Sequence, residues 1–255
     1  MSAPILQAVD VVKRYGKFTA VNRVTLNILP NTVHSVIGPN GAGKTTLFHI
    51  LTGTVPISSG SIRLTGEEIA HLPDYKRVRK GVARSFQVTS LFLNLGVHEN
   101  LRLAAQARQP AQAFKFWRAA ESLPGACEQA DALLERLNLG SVADRPAGEL
   151  SHGQQRRLEV GMAMAGRPRI IFLDEPTSGM GVDDIGDMKR LIHDLRTDCA
   201  VVLIEHNMDI VMDISDTITV MQLGEVLVQG RPDEIRGDER VRRAYLGSMI
   251  TGGKA

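Results

Sequence analysis

Gly38-Pro39-Asn40-Gly41-Ala42-Gly43-Lys44-Thr45-Thr46 is the stretch that decides the fold. It matches GxxxxGK[ST] and lies between the apolar run Val33 to Ile37 and a helix-forming run from Lys44 to Leu51, the strand-loop-helix setting such a loop requires. Its glycines let the backbone wrap closely round a phosphate, so that N–H groups and the positive end of the following helix face the anion. Lys44 adds a full charge at the β- and γ-phosphates, and the Thr45 hydroxyl is the expected Mg²⁺ ligand. All nine residues, Gly38, Pro39, Asn40, Gly41, Ala42, Gly43, Lys44, Thr45 and Thr46, are therefore candidates for holding a nucleotide.

Outward from this loop, Leu6 to Ile37 alternates β-branched and polar residues in short runs, which predicts an antiparallel sheet leading into a central strand. A strand pair around Gly60 to Thr65 returns to the sheet. From about Val88 to Gly166 the texture changes: Ala, Leu, Glu, Gln and Arg dominate, and Leu133, Leu134 and Leu137 fall at helical spacing. This predicts a mostly helical subdomain inserted into an α/β core. The core resumes at Ile170-Ile171-Phe172-Leu173, a strand buried on both faces. A helix over Asp183 to Arg196 carries Ile185, Met188, Ile192 and Leu195 on one face, and a second buried strand follows at Ala200 to Ile204, the order of a parallel unit. Gly224 then turns a hairpin between Ile218 to Leu223 and Glu225 to Gln229, and a charged helix runs to about Leu246. The tail from Thr251 to Ala255 reads as frayed.

The second chemical motif closes the Ile170 strand. Its apolar residues hold it rigid, so that Asp174 emerges at the C-terminal end, where open α/β sheets bind ligands. Asp174 there would hold Mg²⁺ through water, and Glu175 could accept a proton from an attacking water.

The third motif is Leu150-Ser151-His152-Gly153-Gln154-Gln155, a loop running into a helix with Ser151 placed to cap it. Together with the phosphate loop and the Asp174-Glu175 strand, in that order along the chain, it resembles the signature loop Leu-Ser-Gly-Gly-Gln of the ATP-binding cassette (ABC) family. The resemblance runs from Tyr15 to Gly247. It implies a P-loop NTPase (RecA-like) core with an antiparallel β subdomain and an inserted helical subdomain, all within one domain over residues 1–250. The core would take about 1–87 and 167–230, the helical part about 88–166, and a C-terminal helix about 231–247.

The resemblance also implies roles. Ser151, the Gly153 backbone N–H and Gln154 would contact the γ-phosphate of ATP bound to a second subunit, beside the N-terminus of the helix beginning there. Tyr15 would stack on adenine; Gln87 would sense Mg²⁺ and γ-phosphate; His206 would be a switch residue touching γ-phosphate, catalytic with Glu175 and Lys44. Ser178-Gly179-Met180-Gly181 would face the other subunit. Two departures stand out: His152 replaces the first signature glycine, and Gly181 stands where many cassettes carry an aspartate that bridges the dimer.

Finer wording points to one branch. Ala83-Arg84-Ser85-Phe86-Gln87, the run from Leu150 to Glu159, Ile204-Glu205-His206-Asn207-Met208 and Arg243-Ala244-Tyr245-Leu246-Gly247 resemble the LivG-type ATPases of branched-chain amino-acid importers. Urea and short-chain amide importer ATPases and the lipopolysaccharide-export ATPase are the near rivals. The importer resemblance implies ATP and Mg²⁺ as cofactors and a second ATPase subunit, identical or a sister. It also implies integral membrane permease subunits, reached through Gln87 and Val88 to Asn100, and a periplasmic solute-binding protein contacted only indirectly. Such a chain would be cytoplasmic and peripheral on the inner face of the plasma membrane.

Composition narrows the alternatives. At 255 residues with 43% apolar content the chain can bury a full core. A net charge of +2 argues against nucleic acid as a partner, and the local cluster Lys76, Arg77, Arg79, Lys80 and Arg84 reads as a solvated face. Cys127 and Cys199 have neither disulfide nor zinc spacing, which fits a reducing compartment. No apolar run approaches the roughly 20 residues of a spanning helix, so a membrane role would require separate permeases. A GTPase would need an Asn-Lys-x-Asp motif, which the chain lacks.

Overall fold

The structure, a computed structural model, describes residues 3–85, 91–107 and 124–251. Two long strands come first: β1 (Leu6–Tyr15) pairs antiparallel with β2 (Phe18–Ile28). β3 (Val33–Ile37) leaves for a second sheet, while β4 (Ser59–Leu64) and the two-residue β5 (Glu67–Glu68) return to the first, giving the order β2-β1-β4-β5. The second sheet adds β6 (Val82–Arg84), β7 (Ile170–Asp174), β8 (Ala200–Ile204), β9 (Thr217–Gln222) and β10 (Glu225–Gly230) in the order β10-β9-β3-β8-β7-β6. Its pairings are parallel except for the β9–β10 hairpin. The short strand β6 was not foreseen from sequence. With three residues, and Gly81 ahead of it, it offers too little periodicity to read.

The α-helices among the described residues are α1 (Lys44–Thr52), α2 (Asp74–Arg79), α3 (Val97–Gln106), α4 (Pro124–Arg136), α5 (His152–Ala165), α6 (Val182–Leu195), α7 (Met208–Ile214), α8 (Pro232–Gly237) and α9 (Glu239–Thr251). None among the described residues is long and apolar enough to cross a membrane.

Alternation along β7 and β8 explains why both read as unbroken apolar runs. Ile171, Leu173, Val201 and Leu203 join a core with α3, α4, α5 and α6, whereas Ile170, Phe172, Val202 and Ile204 join another with α1 and the antiparallel sheet. Phe172 meets Phe48 of α1 edge to face, ring centres 5.3 Å apart, which anchors the helix of the glycine loop to the sheet. Leu133, Leu134 and Leu137 are buried among the helices, and Met188, Ile192 and Leu195 form the buried face of α6 with Leu191. The two cysteines are free thiols.

Two sequence expectations are corrected. The basic cluster is not uniformly a solvated face, because Arg77 is 1% exposed. Its guanidinium donates to the carbonyls of Ile50 (2.7 Å), Leu51 (2.9 Å), Ala70 (2.9 Å) and Leu72 (3.0 Å). Two of these are last-turn carbonyls of α1, which have no partner within the helix. Burial pulls the Arg77 pKa down to about 10, still far above neutrality. Arg84 is also largely covered and points at Asp174. The second correction is at the C-terminus: the single charged helix is two, α8 and α9, broken at Asp238, where the backbone is extended (ψ 117°) and the carboxylate turns to bond Arg240.

Candidate nucleotide site

The glycine loop follows β3 and opens α1, as its spacing requires. Gly38 sits at φ 151° and Gly43 at φ 96°. A Cβ at Gly38 would lie 2.2 Å from the Met221 carbonyl oxygen, and one at Gly43 would lie 2.5 Å from that of Ala20, so neither position admits a side chain. The loop is thus pressed against β9 and β2 while its backbone stays bare. No side chain caps α1. Lys44 is buried, its ammonium donating to the carbonyls of Gly38 (2.7 Å) and Pro39 (3.1 Å), so the charge is fixed within the loop. Burial lowers the lysine's pKa and the Glu175 carboxylate opposes that effect.

Asp174 ends β7 and is 3% exposed. Burial raises its pKa; the Arg84 guanidinium, 3.4 Å away, acts against that, and Glu175 adds to it. Arg84 also lies over the Phe48 ring, 5.2 Å from its centre. Next along the chain, Glu175 has φ 47°, a left-handed conformation uncommon for a side chain of this kind, and it precedes Pro176. Its Oε1 is 2.7 Å from His206 Nε2. A carboxylate only accepts, so Nε2 carries the proton in this pair.

Phe18, Ala20, Asn40 to Thr46, Glu175 and His206 together line an open cleft of about 370 Å³. Most of the loop residues named from sequence therefore meet Glu175 and His206 in one place. Gly38 and Pro39 are not among the cleft's lining residues; their carbonyls accept from Lys44. Tyr15 is not among the lining residues: it is half exposed, with the Lys13 ammonium 4.9 Å from its ring centre. Phe18, three residues on and 64% exposed, supplies the aromatic surface in the cleft. Sequence reading missed it because an exposed aromatic beside a turn has no distinguishing spacing. Gln87 lies outside the described residues.

Ser151, Gly153 and Gln154 do not line this cleft. They open α5 with a capping box: Ser151 Oγ accepts from the Gln154 N–H (3.2 Å), and Gln154 Oε1 accepts from the Ser151 N–H (3.0 Å). Gly153 is buried, and a Cβ there would lie 2.1 Å from the Asp184 carboxyl carbon. Asp184 is itself held by Arg157 at 3.0 Å. His152, one of the departures, reaches the Ser178 carbonyl at 3.2 Å and so ties the start of α5 to the loop after Glu175. Ser151 and His152 both remain exposed.

The model for the family described as "ABC transporter" matches residues 21–178, and that for "Branched-chain amino acid ATP-binding cassette transporter" matches residues 225–249. The high-affinity branched-chain amino acid transport ATP-binding protein BraF of Pseudomonas aeruginosa is 46% identical, over 97% of this chain and 99% of that protein. The corresponding protein LivG of Escherichia coli K12 is 40% identical over 97% and 99%. Among solved structures, the ADP conformation of an ATP-binding cassette of an ABC transporter superposes with a TM-score of 0.85 at 30% identity, covering 96% of this chain and 100% of that one. With the phosphate loop, the Asp174 strand and the capped Ser151 loop all in place, the chain belongs to the ABC transporter family.

Proposed function

We propose that this chain is the ATP-hydrolysing subunit of a branched-chain amino-acid importer. The observation that carries the hydrolytic part is the single cleft shared by the phosphate loop, Glu175 and His206. The solute class rests on the likeness to BraF and LivG and on the match of residues 225–249, a segment outside the catalytic cleft that distinguishes one branch of ATPases from others.

In this reading the phosphate loop, residues Gly38 to Thr46, grips the phosphates of ATP, with Lys44 at the β- and γ-positions. Glu175 orients water and takes its proton; His206 and Lys44 steady the charge that develops on the γ-phosphate. Catalysis of this kind is positioning plus electrostatics. The donor set suits Mg²⁺, which keeps several waters and accepts one or two carboxylates plus phosphate oxygens. No cluster of three or more His, Cys, Asp or Glu side chains stands ready for a metal among the described residues, so the ion would arrive with the nucleotide. Thr45 and the buried Asp174 would hold it, with Gln87 added by resemblance, and when bound it neutralises phosphate charge. Tyr15 or its neighbour Phe18 would receive the adenine.

Ser151, Gly153 and Gln154 would complete the site of a second ATPase subunit. The exposure of Ser151 at the start of a capped helix, away from the chain's own cleft, supports a role in trans. Permease subunits would receive the motion of closure, and a periplasmic solute-binding protein would deliver the solute to them. The chain would then work at the cytoplasmic face of the membrane.

The test is uptake in the native host by cells carrying Glu175→Gln in the chromosomal gene. Loss of leucine, isoleucine and valine uptake with urea uptake intact is expected. Normal branched-chain uptake alongside lost urea uptake would reassign the solute.

A further inference from the structure

Glu205 is a buried carboxylate, 4% exposed, at the end of an otherwise apolar strand. A charge in that position is costly unless it is hydrogen-bonded. Here both oxygens are engaged. One carboxylate oxygen, Oε1, accepts from both the backbone N–H (3.0 Å) and the hydroxyl (2.5 Å) of Thr177, and the other, Oε2, accepts from the backbone N–H of His206 (3.1 Å). Thr177 lies two residues beyond Glu175 in the loop after β7, and His206 lies in the loop after β8. A single side chain therefore bridges the two loops that carry the hydrogen-bonded pair Glu175 and His206.

That bridge has something to hold. Glu175 keeps a left-handed backbone at φ 47°, the kind of strained conformation that persists only where its surroundings over-determine it. The surroundings are few: the Glu175 N–H donates to the Ile204 carbonyl (3.0 Å), the Ser178 N–H donates to the Glu175 carbonyl (3.1 Å), and Thr177 is fixed by Glu205. The Ile204 carbonyl belongs to the residue before Glu205, so both tethers from β8 converge on this bend. We infer that Glu205 is a positioning residue: it holds the water-directing carboxylate of Glu175 and the imidazole of His206 in register by clamping Thr177 to the end of β8. It touches no substrate; it acts through its two neighbours. The inference rests on the hydrolytic role proposed above for Glu175.

The geometry is unusually sensitive to a nearly isosteric change. Each oxygen of Glu205 faces a backbone N–H, an obligate donor, so Glu205→Gln must turn its NH₂ toward one of the two, leaving that donor facing another donor. The fold loses little volume while the clamp loses one side. Misplacement of a reacting group by about 1 Å can cost about 100-fold in rate.

The test measures steady-state ATP hydrolysis and ATP affinity in wild type, Glu205→Gln, Thr177→Ser, Thr177→Val and Glu175→Gln, each checked by thermal unfolding. The inference requires that Glu205→Gln lower kcat by about 10- to 100-fold with KM for ATP within about twofold. Thr177→Ser, which keeps the hydroxyl, should stay near wild type, and Thr177→Val, which keeps only the N–H, should lie between. Wild-type kcat in Glu205→Gln, while Glu175→Gln is inactive, overturns the positioning role alone. Near-normal hydrolysis in Glu175→Gln overturns the underlying reading instead. If Glu205→Gln fails to fold, Thr177→Val against Thr177→Ser decides: equal kcat in the two contradicts the inference.

Discussion

His206 Nε2 lies 2.7 Å from Glu175 Oε1, so the ends of two adjacent parallel strands, β7 and β8, meet through side chains at the mouth of the phosphate cleft. Strand order brings two groups from separate crossovers to one place. The pair also restrains Glu175, since an imidazole N–H occupies one of its oxygens. His206→Ala should therefore leave ATP binding nearly unchanged and lower kcat by about 10-fold or more, by removing both a charge-stabilising donor and an orienting contact. Titration of binding with a fluorescent ATP analogue beside steady-state turnover separates the two effects. A rise in Kd with unchanged kcat would assign His206 to binding instead.

Gly153 has no room for a methyl group because the Asp184 carboxylate fills the space, and Asp184 is anchored by Arg157. Gly153→Ala should push the start of α5 out of position and lower ATPase activity by about 10-fold. The double variant Gly153→Ala, Asp184→Ala should recover part of that loss, since Asp187 still pairs with Arg157. Strictly additive losses in a double-mutant cycle would contradict the steric account.

Arg77 supplies donors to four backbone carbonyl groups at the junction of α1 and α2. Arg77→Leu keeps the volume and removes every donor, so it should destabilise the fold by about 3 kcal/mol or more. Arg77→Lys should recover little, because an ammonium cannot reproduce the fork. Urea unfolding checks both; a change under about 0.5 kcal/mol, the range of ordinary surface substitutions, would restore the solvated-face reading.

These residues also mark what was legible in the sequence. The phosphate loop, the Asp174 strand and the Ser151 cap were readable because each combines residue type with a fixed neighbour: a strand before glycines, an apolar run before acid, a serine three residues ahead of glutamine. The two-sided burial of Ile170 to Leu173 was readable for the same reason. Arg77 and Glu205 were not. A charge reads as exposed until the groups that surround it are known, and those that satisfy Arg77 are backbone carbonyls up to 27 residues away. Phe18 escaped because nothing along the chain distinguishes it from Tyr15, whereas the folded loop puts only Phe18 against the cleft. The break at Asp238 was hidden by charges that suit a helix on either side.

Acid should weaken the protein through His34. This histidine is buried in β3 with Nε2 2.7 Å from the Thr219 hydroxyl, and burial lowers its pKa from 6.5 to about 4. The unfolded chain therefore binds a proton that the folded chain refuses across that interval. The stability in question is complete above pH 6.5 and is lost as pH falls towards 4, by about 3 kcal/mol. Urea midpoints at a series of pH values should drop through this window, and His34→Gln should flatten the drop. An equal slope in that variant would locate the acid sensitivity elsewhere.

The central claim is that Glu175 directs hydrolysis of ATP held by this phosphate loop. The most direct measurement is ATP turnover by Glu175→Gln with Mg²⁺, paired with size exclusion in ATP. The account predicts that the variant binds ATP, loses hydrolysis by about 100-fold or more, and elutes as an ATP-bound pair of subunits. Near-normal turnover in Glu175→Gln would contradict it.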